Sequence, residues 1–148
     1  MADRIAAFTY GPDAFERGLS HVVRRDIAFA AHVKVSIREV VENARPLPNL
    51  YRYEPETKSE TLDVDEAYEK EFDREPSPYD SHPKPADRVR WVRELTAKVT
   101  SAGDEESDAW DLFASRVELE QILTTEYRTR LARRGISVAA AEEASAAA

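Results

Sequence analysis

Proline is unevenly placed along this chain, and its placement limits the regular structure that the middle of the chain can form. Seven of the eight prolines lie between Pro46 and Pro85. Proline removes a backbone donor and disfavours helix in the residue before it, so this spacing excludes a long helix there. The chain therefore divides into an N-terminal helical part, a Pro-rich segment at 46–84 and a C-terminal helical part.

The Pro-rich segment also carries the net charge. Eleven acidic and three basic residues lie between Glu54 and Asp80, which equals the net charge of −8 of the whole chain. Residues 46–84 are termed the acidic arm below. Carboxylates of one sign steer an approaching partner, and the aromatic residues among them supply contact area. The alternative interpretation is a solvated linker, because charged runs usually only solvate the chain.

Within the arm, Asp63 to Glu75 is predicted to form a short helix. Its apolar residues fall on one narrow side, while carboxylates cover the others. A helix of this length is marginal in water when left alone. We therefore expect a protein partner to bind it, through a set of predicted contact residues: Asp63, Asp65, Tyr68, Glu69, Phe72 and Asp73.

A long first helix is predicted to begin at Gly11-Pro12-Asp13, after a short opening to which no element is assigned. Proline at the first helical position and an acid in the first turn both favour a start there. The apolar residues from Phe15 to Ala44 then fall on one stripe of a 3.6-residue period. A strand is the competing interpretation, because apolar residues alternate from Ile27 to Ile37, but the helical pattern continues beyond both ends.

Two further helices are predicted after the arm. One runs from Pro85 to about Ala102, where Gly103 stops it. The other runs for about 31 residues, with acids at its start from Asp104, arginines at its end and Gly135 after it. Its apolar residues fall on two faces, which is typical of a helix that is central in a bundle or shared with another chain. The second face predicts a protein contact through Leu112, Leu119 and Leu123.

No recognised catalytic or cofactor motif is present. The four glycines are scattered, so the chain lacks a phosphate-binding loop, a dinucleotide-binding turn and a Gly-x-Ser-x-Gly elbow. Cysteine is absent, which excludes disulfides and thiolate sites. The three histidines are not spaced for a metal, and a calcium-loop match beginning at Asp63 fails at Tyr68 and Arg74. We therefore predict no enzyme activity, no cofactor and no metal.

Arginine clusters offer an alternative function. They are typical of helix ends, where positive charge complements the helix dipole, but they also suit phosphate contact. Nucleic-acid binding is not favoured at a sequence pI near 5.0, and it stays an alternative that would use seven arginines: Arg88, Arg90, Arg93, Arg128, Arg130, Arg133 and Arg134. A third hypothesis is an acidic inhibitor whose carboxylates imitate phosphates.

Together these patterns predict an all-α protein, a small helical bundle with two long helices and a Pro-rich acidic arm between them. The chain is expected to form a single helical domain over 1–148, with the arm at 46–84 and a flexible Ala/Glu tail at 136–148. Small size, helical build and the absent motifs favour a non-catalytic structural or assembly subunit of a larger complex, for instance of the phage-virion type. The subunit would be a homo- or hetero-oligomer with protein partners and no membrane contact. The opening residues lack a signal-peptide apolar region, which predicts a cytoplasmic or virion location.

Overall fold

A computed structural model describes residues 2–56, 62–95 and 108–139. Within these ranges the chain is helical and contains no strand, which confirms the predicted all-α class. The elements are α1 (Ala2–Tyr10), α2 (Pro12–Glu42), α3 (Val64–Phe72), α4 (Pro85–Arg93), a short 3-10 helix (Ala109–Leu112) and α5 (Arg116–Ala132). None of the described helices combines the length and the apolar character that crossing a membrane requires.

The long first helix is confirmed, and a helix that was not predicted precedes it. α2 spans 31 residues from Pro12 to Glu42, so the helical pattern prevails over the strand pattern. α1 occupies the opening residues and is separated from α2 by Gly11, whose φ of 90° suits glycine. The amide of Gly11 donates to the Ala7 carbonyl at 2.9 Å, so Gly11 keeps a helical hydrogen bond to α1.

The described residues group into two compact units. Unit 1 contains residues 2–29 and 62–95, and unit 2 contains residues 30–56 and 108–139. α2 contributes its first half to unit 1 and its second half to unit 2. The sequence predicts that the helix from Pro85 and the last helix pack together in one bundle. In the structure, α4 belongs to unit 1 and α5 belongs to unit 2.

In unit 1, α4 packs against both α1 and α3. Its core is built from four buried residues: Ala7, Tyr68, Val89 and Val92. The Arg88 guanidinium binds the Asp3 carboxylate through two contacts of 2.7 and 2.8 Å, which ties α4 to the first turn of α1. Bidentate pairing of this kind fixes orientation as well as adding energy.

The short helix predicted inside the acidic arm is α3. The Asp63 side chain caps it by accepting from the amides of Asp65 and Glu66, each at 3.0 Å. Such caps contribute about 1 kcal/mol to a helix. The Tyr68 and Phe72 rings lie one turn apart, with centroids separated by 5.4 Å. The predicted apolar side of α3 thus contains Tyr68, which is buried in the core of unit 1.

In unit 2, the first part of the acidic arm belongs to the core. Leu47 and Leu50 are fully buried beside Val40, and the amide of Leu50 donates to the Thr124 hydroxyl of α5 at 3.0 Å. The amide of Leu47 donates to the Ala139 carbonyl at 3.0 Å. Residues 46–56 of the acidic arm therefore contribute to the core of unit 2.

The predicted last helix of about 31 residues is wrong over the described residues 108–115, and its predicted start at Asp104 lies outside the described residues. α5 has 17 residues and begins after Ser115, whose extended backbone and hydroxyl cap it by accepting from the Glu118 amide at 3.2 Å. Leu112 therefore lies in the preceding 3-10 helix and not on α5. Residues 96–107, which include the predicted end of the Pro85 helix, lie outside the described residues, as do residues 140–148 of the predicted tail.

Candidate functional site

The predicted contact residues of α3 are largely engaged within unit 1. Tyr68 is only 7% exposed, its hydroxyl lies 2.8 Å from that of Ser20, and the Arg24 guanidinium stacks 3.9 Å from its ring centroid. Phe72 is half-buried beside it. Tyr68 is thus a core residue of unit 1, which corrects its prediction as a partner-binding residue. Its period-four spacing with Phe72 serves packing against the same chain.

Several carboxylates of the arm are neutralised by cations of the same chain. Asp65 pairs with Arg24, Asp73 pairs with Lys84 at 2.6 Å, and Arg74 bridges Glu71 and Asp80. The nearby cation in each pair lowers the pKa of the Asp73 and Asp80 carboxyls. Asp63 is used as the helix cap, and Glu69 is exposed. The charge that the arm presents to a partner is therefore smaller than the sequence suggests.

The arginine clusters are also paired. Arg88 binds Asp3, Arg90 binds Asp87 and Arg93 binds Glu16. In α5, Arg130 binds Glu126 and Arg128 donates to the Thr125 hydroxyl, while Arg133 and Arg134 are exposed at the helix end. Each internal pair offsets positive charge that phosphate contact would need. The nucleic-acid hypothesis gains no support from this arrangement.

The predicted second face of the last helix is only partly exposed, and other apolar residues near it in the chain are exposed as well. Leu112 is 84% exposed, and Leu119 and Leu123 are half-buried. Three further exposed apolar residues belong to this region and were missed: Phe113, Val117 and Ile122. Ile122 is 57% exposed and lies opposite the buried Glu120, Thr124 and Leu131 side of α5. The residues Leu112, Phe113, Val117 and Ile122 are termed the 112–122 surface.

The 112–122 surface is built on an ordered turn. The Asp108 side chain accepts from the Trp110 amide at 3.1 Å and caps the 3-10 helix. The Trp110 and Phe113 rings lie 5.9 Å apart, and the Arg116 guanidinium stacks 4.5 Å from the Trp110 ring centroid. Aromatic and cation-π contacts of this kind hold the rings in place without a partner. The exposed apolar side chains are therefore presented on a preformed platform.

A buried carboxylate positions this platform, and sequence reasoning missed it. Glu120 is fully buried, and it accepts from Arg52 at 2.6 Å, Arg116 at 2.7 Å and Asn49 at 3.1 Å. These hydrogen bonds from the two guanidiniums lower the pKa of Glu120 to about 2. The arrangement joins the arm segment at 49–52 to the first turns of α5. Arg116 takes part in both the carboxylate cluster and the Trp110 stack.

The pH dependence of stability follows from this pKa. Because the pKa of Glu120 falls from 4.5 to about 2 on folding, the unfolded chain takes up the proton first. The stabilisation from Glu120 is thus complete above about pH 4.5 and is lost as the pH falls toward 2. We expect the difference in unfolding free energy between the wild type and Glu120→Gln to shrink across that window in urea titrations. A difference that stayed constant from pH 7 to pH 2 would contradict the assignment.

A second buried glutamate lies in unit 2. The Tyr53 hydroxyl donates to the Glu39 carboxylate at 2.7 Å, and the Arg45 guanidinium lies 3.6 Å from the same oxygen. Burial is the main cause that raises the pKa of Tyr53, and the bond to Glu39 adds to it. Tyr53 and Arg45 hold the arm against the end of α2. Glu39 thus has a structural role like that of Glu120.

Unit 1 carries exposed apolar residues of its own. Ile5 and Phe8 lie one turn apart on α1, and Phe8 is 72% exposed. Trp91 of α4 is also exposed and lines a cavity with the first turn of α1. Tyr79 of the acidic arm is 96% exposed. Tyr79 is one of the arm aromatic residues expected to supply contact area, whereas no protein contact is predicted for Ile5, Phe8 or Trp91.

No metal-binding cluster of histidine and acidic residues occurs within the described ranges. His32 is half-buried and bonded to the Leu50 carbonyl at 2.8 Å, so it is a structural residue of unit 2. Comparison with protein-family models, with curated proteins and with solved structures found no match for this chain. The features that point to a function are therefore the exposed apolar surfaces.

Proposed function

We propose that this protein is a non-catalytic assembly subunit that binds a protein partner through the 112–122 surface. The observation that supports the proposal most is the exposure of Leu112, Phe113, Val117 and Ile122 on an ordered platform. Apolar side chains scattered singly over a surface are ordinary, and the proposal depends on these four occurring close together along the chain, because larger exposed apolar areas are typical of protein contacts. A partner that covers them gains about 25 cal/mol for each Å² of apolar area removed from water.

The chemistry of the platform indicates the kind of partner. Trp110 and Arg116 lie beside the exposed residues, and both residue types are enriched where interfaces hold most of their binding energy. The turn is preformed, so binding costs little ordering entropy. The partner would be a protein with an apolar surface, and a phage-virion component is one example of such a partner. The nucleic-acid and phosphate-mimicking hypotheses have less support, because many of their charged residues are paired within the chain.

The test is to charge the surface without disturbing the fold. Val117→Glu with Ile122→Glu places two carboxylates at exposed positions of α5, and both should be tolerated by the monomer. The matched control is Thr129→Glu with Ala132→Glu, which charges exposed positions of the same helix beyond the surface, near the C-terminal end of α5. Complexes purified from the native source through a tagged chain should contain the partner with the wild type and the control.

The charged variant should lose that partner by at least about ten-fold in recovery, as loss of interface residues worth 1.4 kcal/mol or more would give. Circular dichroism must show the same helix content for all three proteins. Equal recovery of the partner by the charged variant would show that the 112–122 surface is not the contact.

A further inference from the structure

Tyr79 is presented to solvent by a braced turn in unit 1. The turn runs from Ser77 to Asp80, and the Asp80 amide donates to the Ser77 carbonyl at 3.0 Å. Pro78 occupies the second position, where proline presets the backbone angle of such turns. The Asp80 carboxylate accepts from the Ser77 amide and from Arg74, each at 2.7 Å. The ring of Tyr79 is 96% exposed at the tip.

This arrangement is unusual for a residue whose role is internal. A tyrosine that is 96% exposed stabilises its own fold through almost no contacts. The turn below it is nevertheless held by the ion pair between Arg74 and Asp80. A rigid aromatic side chain with few rotatable bonds loses little entropy when a partner covers it, and tyrosine also offers a hydroxyl for a hydrogen bond.

A cavity of about 810 Å³ lies in the same unit, between the first turn of α1 and α4. Trp91 and Pro83 supply apolar lining, and polar groups stand beside them from Arg4, His82 and Glu94. Small-molecule pockets of proteins commonly have such a volume, about 300 to 1,000 Å³, and the Asp3–Arg88 ion pair also lines this cavity. A tyrosine ring can stack on the Trp91 indole there, with its hydroxyl among the polar groups.

We propose that Tyr79 of one copy of this chain occupies the Trp91 cavity of a second copy. The turn directly precedes His82 and Pro83, which line the cavity. Because an extended residue spans at most about 3.6 Å, at most about 14 Å of chain separates Tyr79 from Pro83. When a protruding group and its receiving cavity lie side by side, a two-fold axis lets each copy give one tyrosine and receive one. The exposed Ile5 and Phe8 continue along the helix whose first turn lines the cavity, and they extend the apolar contact area.

This self-association is separate from the contact proposed for the 112–122 surface. It uses residues of unit 1 only, whereas the 112–122 surface lies in unit 2. A variant with Val117→Glu and Ile122→Glu should therefore still form the dimer. Conversely, the Tyr79→Ala variant should be monomeric and should still recover the partner protein that binds the 112–122 surface.

Sedimentation equilibrium of the full chain tests the proposal. The wild type should approach twice the monomer mass of 16.8 kDa with rising concentration. Tyr79→Ala and Trp91→Ala should each raise the dimer dissociation constant by about thirty-fold, as loss of a central interface aromatic does. The double variant should be no weaker than either single one, because both remove the same contact. Val22→Ala, at an exposed apolar position of α2, is the control and should leave the constant unchanged.

Disulfide trapping provides a second measurement that does not depend on how Trp91→Ala folds. The chain contains no cysteine, so introduced thiols have no background. A mixture of Tyr79→Cys and Arg4→Cys should form the mixed disulfide under mild oxidation, and a mixture of Tyr79→Cys and Arg25→Cys should not. A wild type that stays monomeric, or a dimer whose constant is unchanged by Tyr79→Ala, would overturn the proposal. Tyr79-dependent binding of a different protein by a monomeric chain would overturn it as well.

Discussion

The double variant Arg52→Ala with Arg116→Ala is expected to lose about 2 to 3 kcal/mol of unfolding free energy, since both arginines are half exposed and water partly replaces them. Both guanidiniums bind Glu120, whose side chain is fully buried. Removing them leaves the buried Glu120 carboxylate with the Asn49 amide as a donor, and an uncompensated buried charge is costly. Urea-induced unfolding at pH 7, followed by circular dichroism, measures the loss.

Two companion variants make the result specific to the charge. Adding Glu120→Gln to the double variant removes the buried charge, so it should restore part of the lost stability. Arg133→Ala with Arg134→Ala removes two exposed arginines from the end of α5 and should change the unfolding free energy by less than about 1 kcal/mol. A double variant as stable as this control would show that the Glu120 cluster does not hold the arm to α5.

Leu47→Ala is expected to cost about 2 to 5 kcal/mol, the range for truncating a fully buried leucine. Leu47 has no exposed surface and lies in the Pro-rich part of the chain that composition alone suggests is peripheral. The loss combines the apolar area returned to water with the cavity left behind. Thermal or urea unfolding of the purified variant measures it.

Leu62→Ala is the matched control for Leu47→Ala. Leu62 lies in the same acidic arm but is exposed, so its truncation should cost less than about 1 kcal/mol. Equal losses for the two variants would show that residues 46–56 are not core. A large difference would show that the arm begins as part of the core of unit 2.

The α-helices are predictable from the sequence where a periodic stripe coincides with a start or stop signal. α2 has proline at its first position and a continuous apolar stripe, and α3 has Asp63 as its cap. α1 has neither a proline nor a cap at its start, and its nine residues are too few to establish a period. The sequence therefore predicts no element over these residues.

The start of α5 is marked in the sequence by a capping pattern, but the charge pattern predicts an earlier start. Ser115 followed by Glu118 is the capping-box pattern for a helix start, and the structure begins α5 there. Acids from Asp104 onward and arginines up to Arg134 suggested one long dipole-matched helix instead. A local hydrogen bond from a cap decides the start of a helix more directly than charges that lie several turns away.

The buried glutamates could not be recognised from the sequence. A glutamate on a helix is ordinarily exposed, and the burial of Glu120 depends on Asn49 and Arg52, which lie 71 and 68 residues away along the chain. The exposure of Ile122 is equally non-local, because it depends on which side of α5 the arm covers. Pairing between distant residues therefore sets both the cluster and the surface beside it.

The aromatic residues of the acidic arm show the same limit of sequence-based prediction. Tyr68 and Tyr79 both interrupt runs of acidic residues, and composition does not distinguish them. Tyr68 follows the apolar side of α3 into the core of unit 1, whereas Tyr79 is at the tip of a proline turn. The exposure of Tyr79 is thus set by backbone geometry, whereas the period-four spacing of Tyr68 with Phe72 indicates packing.

The most direct test of the assembly role is the molar mass of the chain isolated from its native source, measured by light scattering during size-exclusion chromatography. We predict a mass above twice 16.8 kDa for the wild type, because a dimer would carry a further protein on the 112–122 surface. The variant with Val117→Glu and Ile122→Glu should fall to the mass of the chain alone or of its dimer. A wild-type mass that equals that of this variant, with both proteins folded, would contradict the account.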